Sequence, residues 1–184
     1  MDDDFMGWSL NFLECFCSVN SDVDQAPIAG RGMTVNWCKP DHEWFKVNTD
    51  VVVDSLKCCV GVGIIIINRL GVFRHSFVLN LRVNFSPQIA EVVALFYWIR
   101  LAVEENFVPV VVKSYAKAVV DMIKLGVVPT VDIDTITGDI LHLICGKPIS
   151  ISFVPRLANS VAHGLAKLAL SVANERVWIN SYPP

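Results

Sequence analysis

With 184 residues, the chain is long enough to bury one full core, and 53% hydrophobic against 18% charged content excludes a disordered polymer. Fifteen Lys and Arg against eighteen Asp and Glu give a net charge of −3, which excludes a general attraction to nucleic acid and leaves such binding to a local patch or to metal ions. The most apolar run, Val60 to Ile67, is far shorter than the ~20 residues of a membrane-spanning helix. The start Met1-Asp2-Asp3-Asp4 is acidic where a secretory signal is basic. The expectation is a soluble intracellular protein with no membrane association; no basic targeting run decides between nucleus and cytoplasm. Six cysteines, at 15, 17, 38, 58, 59 and 145, lack the C-x-x-C spacing of a zinc site and read as small hydrophobes in a reducing compartment.

Residues 1–36 read as an N-terminal appendage. Trp8, Leu10, Phe12, Leu13 and Phe16 form a short apolar stretch, and Asn20 to Met33 is a linker rich in Asp, Pro and Gly. A docking helix, a remnant of a longer parent and a weakly ordered tail are all compatible with it, and weak order is the expectation. A domain over 37–184 follows. Trp44 to Val52 reads as a first strand, aromatic and β-branched, with Asp50 set into its inner end. An Asp there costs free energy unless something pairs with it, or it turns into the next loop. Val60 to Ile67 does not alternate, so it reads as a second strand buried on both faces, with Gly61 and Gly63 marking a bulge or a close backbone approach. Asn68-Arg69-Leu70-Gly71 is a hairpin turn into a third strand, Val72 to Leu79.

The period then changes. Ser86 caps and Pro87 opens a long helix, with apolar positions Ile89, Val92, Val93, Phe96, Ile99 and Val103. Glu91 is expected in its first turn, where the helix dipole alone would favour an acid. Val108 to Val112 is a fourth strand. Helices from Tyr115 to Leu125 and from Asp132 to Ile144 follow, then a fifth strand from Ile149 to Val154. A last helix from Val161 to Ala173 is capped by Asn159 or Ser160. The fold class is α/β: a mixed five-stranded sheet, three antiparallel strands followed by α-β-α-α-β-α, with helices on its faces.

This order, with Trp37…Lys39-Pro40, Lys46-Val47-Asn48-Thr49-Asp50, Gly61-Val62-Gly63, Ser86-Pro87-Gln88-Ile89-Ala90-Glu91 and Pro155-Arg156-Leu157-Ala158-Asn159-Ser160-Val161-Ala162-His163, resembles the ribonuclease H-like fold. Within it, the chain is most similar to the plant reverse-transcriptase-like ribonuclease H domains related to mobile elements. The resemblance implies four acidic positions holding two Mg²⁺ (or Mn²⁺) ions that cleave the RNA strand of an RNA–DNA hybrid. The first falls on Asp50 and the second on Glu91, the expected metal ligands. The third falls on Tyr115, in Val112-Lys113-Ser114-Tyr115, a phenol that ligates Mg²⁺ poorly at neutral pH. The fourth falls on His163, where some members of the family carry Asp and plant relatives often carry His. A neutral imidazole adds no negative charge but can bind a softer ion such as Mn²⁺ or Zn²⁺, and a lone His at a helix start is more often a local hydrogen-bonding residue than a ligand. Lys113, Arg156 and Asn159 are the expected nucleic-acid contacts, Lys113 reading equally as a solvated strand-end lysine. Asp54 shares a face with Asp50 but lies ~13 Å along an extended strand, too far to share an ion.

Two carboxylates stand where the chemistry uses three or four. The expected function is therefore a nucleic-acid-binding ribonuclease H-like domain whose RNA–DNA hybrid ribonuclease activity is weakened or lost, with Asp50, Glu91 and His163 as the catalytic positions. The alternative is a non-catalytic nucleic-acid-binding module, or a protein-interaction module with a protein partner, derived from a mobile element.

Overall fold

The computed structural model describes residues 40, 43–126, 131–173 and 175–180. The expected appendage at 1–36 and the closing residues 181–184 lie outside them. Six strands, β1 (Phe45–Asp54), β2 (Cys59–Ile67), β3 (Phe73–Leu81), β4 (Val110–Ser114), β5 (Ile149–Phe153) and β6 (Arg176–Ile179), form one sheet in the order β5-β4-β1-β2-β3-β6. The pairs β1–β4 and β4–β5 are parallel and the other three antiparallel. The helices are α1 (Pro87–Glu104), α2 (Lys117–Leu125), α3 (Val131–Ile144) and α4 (Ser160–Ala169), the last preceded by a 3₁₀ turn at Arg156–Asn159.

The three-strand meander is built by local chemistry. Asp54 Oδ1 accepts the backbone N–H groups of Leu56 (3.1 Å) and Lys57 (3.0 Å), closing the β1–β2 turn. Asn68 Oδ1 accepts those of Leu70 (3.0 Å) and Val72 (2.9 Å), and Gly71 takes φ 78° to complete the β2–β3 turn. Asp54 is thus committed to its turn. Strand β2 is buried at every position, as its unbroken apolar run requires. Helix α1 starts where Ser86 Oγ accepts the Ile89 N–H (3.4 Å), with Pro87 at its first position.

Two cores flank the sheet. The larger joins Val47, Val62, Ile64 and Ile66 to α1, α2 and α3 through Leu95, Trp98, Val120 and Ile140. The smaller joins Ile65, Ile67, Phe73 and Val78 to Leu165 and Ala169 of α4. Alternation along β1 sends Val47 to the larger core and Asn48 and Asp50 toward α4. Between α1 and the β3–β6 edge lies a cavity of about 290 Å³ lined by Phe77, Leu79, Trp98, Leu101 and Val177.

The structure adds to the sequence expectation at the end of the chain. The sheet has six strands, not five. Strand β6 spans four residues, three of them exposed, so it carries no buried alternation by which a pattern would reveal it. Strand β4 begins at Val110 rather than Val108, and α4 ends at Ala169 rather than Ala173.

The close approach expected at Gly61 and Gly63 is present, and it seats α4. A Cβ on Gly63 would lie 2.2 Å from the Ala166 nitrogen and 2.3 Å from the Ala162 oxygen; one on Gly61 would lie 2.1 Å from the Ala166 oxygen. All three are helix backbone atoms, which cannot swing aside as a flexible side chain would. Gly63→Ala is therefore expected to destabilise the fold by about 3 kcal/mol or more. Urea unfolding followed by circular dichroism measures the loss; a cost within error of zero would mean that α4 does not sit on β2 as described.

Candidate active site

Asp50 stands at the middle of β1, opposite Gly63 of β2 and beside β4. Its carboxylate is 1% exposed, so it requires partners. His163, on the first turn of α4, supplies one: its Nδ1 lies 2.8 Å from Asp50 Oδ2. The other ring nitrogen, Nε2, lies 2.9 Å from an Arg156 guanidinium nitrogen. A guanidinium only donates, so Nε2 accepts and the proton of the neutral imidazole is on Nδ1, donated to Asp50. Arg156 in turn lies over the Tyr115 ring, 5.6 Å from its centroid, within cation–π range. The order Asp50–His163–Arg156–Tyr115 links β1, α4, the 3₁₀ turn and the exit of β4.

Why the helix registers on the strand follows from two matched spacings. Asn48 precedes Asp50 by two strand residues, ~6.6 Å. Asn159 precedes His163 by four residues, ~6 Å at α-helical rise. The two polar pairs therefore meet together. Asn48 Nδ2 donates to Asn159 Oδ1 at 2.9 Å, and Asn159 Nδ2 donates to the Thr49 carbonyl at 3.0 Å. Asn159 is buried with both ends of its amide engaged. It pins α4 to β1, and its burial removes it from the nucleic-acid contact expected of it. Nor does its side chain cap α4, because it is spent on the sheet.

Glu91 is the fifth residue of α1, so it lies in the second turn, not the first, and no acid occupies the first turn. The dipole explanation for an acid there therefore lapses. It is 7% exposed. Burial, and then the charge of Asp50, push its carboxyl up from 4.5 to about 8. Asp50 is also raised by burial, against the pull of the His163 hydrogen bond. Asp50 Oδ1 and Glu91 Oε2 are buried without a protein hydrogen-bond partner.

The remaining expected residues fall around this centre. Tyr115 is 38% exposed, at the exit of β4. Lys113 is half-buried in β4, in register with Asn48 and Ser152. Lys117 pairs with Asp121 one helical turn on, which holds that carboxylate on the α2 surface. Sequence reasoning missed the role of Asn48 and the Arg156–His163 contact. The first was legible in the matched strand and helix spacings; the second depends on a 3₁₀ turn with no sequence periodicity of its own.

The donor set falls short of two divalent ions. Each needs oxygen-rich coordination, and neighbouring ions need several carboxylates to offset their repulsion. Here the imidazole has both nitrogens engaged and the third position is a phenol, which leaves Asp50 and Glu91 as the carboxylates of the four positions. Among the described residues, no group of three or more His, Cys, Asp or Glu side chains is placed to hold a metal ion.

Residues 48–169, well over half of the chain, match the family described as reverse transcriptase-like. The chain belongs to that family. Among solved structures, RNase H1 from the halophilic archaeon Halobacterium salinarum superposes with a TM-score of 0.63 at 19% identity, over 69% of this chain and 97% of that one. LC11-RNase H1, solved in complex with an RNA/DNA hybrid, gives 0.60 at 18% identity, over 69% and 96%. The prototype foamy virus protease–reverse transcriptase gives 0.57 at 19% identity, over 82% of this chain and 23% of that one. These likenesses establish the ribonuclease H-like fold. No curated protein matches the sequence.

The raised Glu91 carboxyl sets a pH dependence. Because the folded state holds this proton more tightly than the unfolded state, stability is greatest below about 4.5 and falls as the pH rises through about 8. Glu91→Gln removes that loss. Its melting temperature is expected to match the parent at about pH 4 and exceed it at about pH 9, by the equivalent of at most roughly 5 kcal/mol. Equal melting curves at the higher pH would show that Glu91 ionises freely.

Proposed function

We propose that this reverse transcriptase-like domain binds nucleic acid of the RNA–DNA hybrid class over the Asp50 face, and that its hybrid ribonuclease activity is weakened or lost. The observation that carries the reading is the 2.8 Å hydrogen bond from His163 to Asp50. It engages Oδ2 of the principal carboxylate with an imidazole, at the position where some members of the family carry a fourth acid and plant relatives often carry His. In relatives with all four acids, two Mg²⁺ or Mn²⁺ ions would supply an activated water and stabilise the leaving oxygen. Asp50, Glu91 and His163 hold the corresponding catalytic positions here, Tyr115 the degenerate one. The LC11-RNase H1 complex with an RNA/DNA hybrid supports the substrate class.

The binding half of the proposal rests on Arg156 and Lys113. Arg156 is exposed beside the site, and its guanidinium forks onto phosphate oxygens better than an ammonium does. The overall charge of −3 makes this a local patch, so affinity should be modest and salt-dependent. Arg156→Ala is expected to weaken retardation of a labelled RNA–DNA hybrid and to lower the salt slope by about 1. An unchanged slope would remove Arg156 from the interface.

Cleavage is tested on the same hybrid with Mg²⁺ or Mn²⁺. The parent is expected to cut at a level near background, and the Tyr115→Asp, His163→Asp double variant to cut measurably. Robust cleavage by the parent that disappears in Asp50→Asn would overturn the loss of activity.

A further inference from the structure

We propose that Arg156, acting through His163, is a resident counter-cation of Asp50 that takes the place of a divalent ion, so that this face binds a nucleic-acid phosphate without metal. The phosphate contact rests on the nucleic-acid-binding reading above; the replacement of the ion rests on geometry alone.

Three observations converge. First, a metal ligand must offer a lone pair, and His163 has none to offer. Its Nδ1 proton points at Asp50 Oδ2 (2.8 Å), and its Nε2 lone pair is taken by Arg156 (2.9 Å). Second, the guanidinium carries a permanent positive charge one imidazole away from the carboxylate. An incoming divalent ion could take a ligand from His163 or Asp50 Oδ2 only by breaking a hydrogen bond, and one seated on the unpartnered Asp50 Oδ1 would still face the repulsion of that charge. Third, the two departures from an acidic site act together on one residue. Tyr115 gives the guanidinium a ring face to lie on, at 5.6 Å, and His163 gives it an acceptor. With acids at both positions, the pocket would attract a mobile cation; as it stands, it cradles a covalently attached one.

Arg156 has five N–H donors, of which the hydrogen bond to His163 uses one. The residue is exposed, so the remaining edge is free to receive two oxygens of a phosphodiester. Arg156 is thus a positioning residue toward Asp50 and a binding residue toward the backbone of the nucleic acid.

The probe is Mn²⁺ alone, titrated into the full chain and followed by the electron paramagnetic resonance signal of the free ion. The parent is expected to take up no saturable Mn²⁺ through the millimolar range. Arg156→Ala, which frees Nε2 and uncovers the carboxylate charge, is expected to gain a saturable site, and that site should vanish in Arg156→Ala, Asp50→Asn. Arg156→Lys keeps a cation but loses the planar fork, and should stay metal-free. Circular dichroism melts confirm that each variant is folded. Stoichiometric uptake by the parent that is abolished in Asp50→Asn overturns the proposal, as does an Arg156→Ala variant that binds no more ion than the parent. Hybrid affinity should be equal in chelator and in Mg²⁺, and a tenfold gain with Mg²⁺ counts against the proposal. A hybrid that fails to bind under either condition sinks the nucleic-acid reading, while the Mn²⁺ titration still decides the counter-cation.

Discussion

The contact between the backbone of α4 and the two glycines of β2 governs this molecule. Side chains normally hold a helix away from a sheet, but at Gly61 and Gly63 there is nothing to hold it off, and helix backbone fills the space a Cβ would take. Gly63 is the register partner of Asp50, so this close approach runs beside the buried carboxylate. A short imidazole on the first turn of the helix then reaches Asp50 directly. The paired asparagines at 48 and 159 fix the same approach one step earlier along the strand. Packing, register and site chemistry are here one constraint.

Within that frame the site is a polar enclave between two apolar cores, and its protons are ordered. Asp50 accepts, His163 donates at one nitrogen and accepts at the other, and Arg156 donates. Each assignment forces the next, because the guanidinium has no alternative role. Such a chain is cooperative: removing one member leaves a buried group unsatisfied, which costs more than the bond contributed. Glu91 stands outside the chain, buried and unpaired at Oε2, and resolves its position by retaining a proton. A site built for catalysis with metal ions concentrates negative charge. This one has dispersed it.

Much of the fold was legible because local chemistry and pattern agreed. The unbroken β2 run, the Asn68 turn, the Ser86–Pro87 helix start and the glycine pair each state one structural requirement in one place. Of the site, the positions of Asp50 and His163 were legible, since each lies at a recognisable point of a strand or helix. Three features were not. Glu91 was assigned to the wrong turn because Pro87, Gln88, Ile89 and Ala90 all precede it, and its burial depends on tertiary packing. Asn159 reads as a cap in sequence, yet its side chain is claimed by a strand more than a hundred residues away, and no local rule anticipates that competition. Strand β6 has no buried face to leave a pattern.

That last strand has a consequence for the molecule as a whole. Strand β3 spans nine residues, and β6 covers only His75 to Val78 of its outer edge. A four-residue, mostly exposed strand opens at low cost compared with the central ladders. When it frays, it uncovers unpaired backbone N–H and C=O groups of β3 and removes Val177 from the cavity wall against Trp98 and Leu101. An apolar cleft beside an open strand edge is a template on which a second chain adds by strand pairing. The four residues from Arg176 to Ile179 therefore cover an edge that edge-to-edge pairing would otherwise find open, although they contribute little to the core.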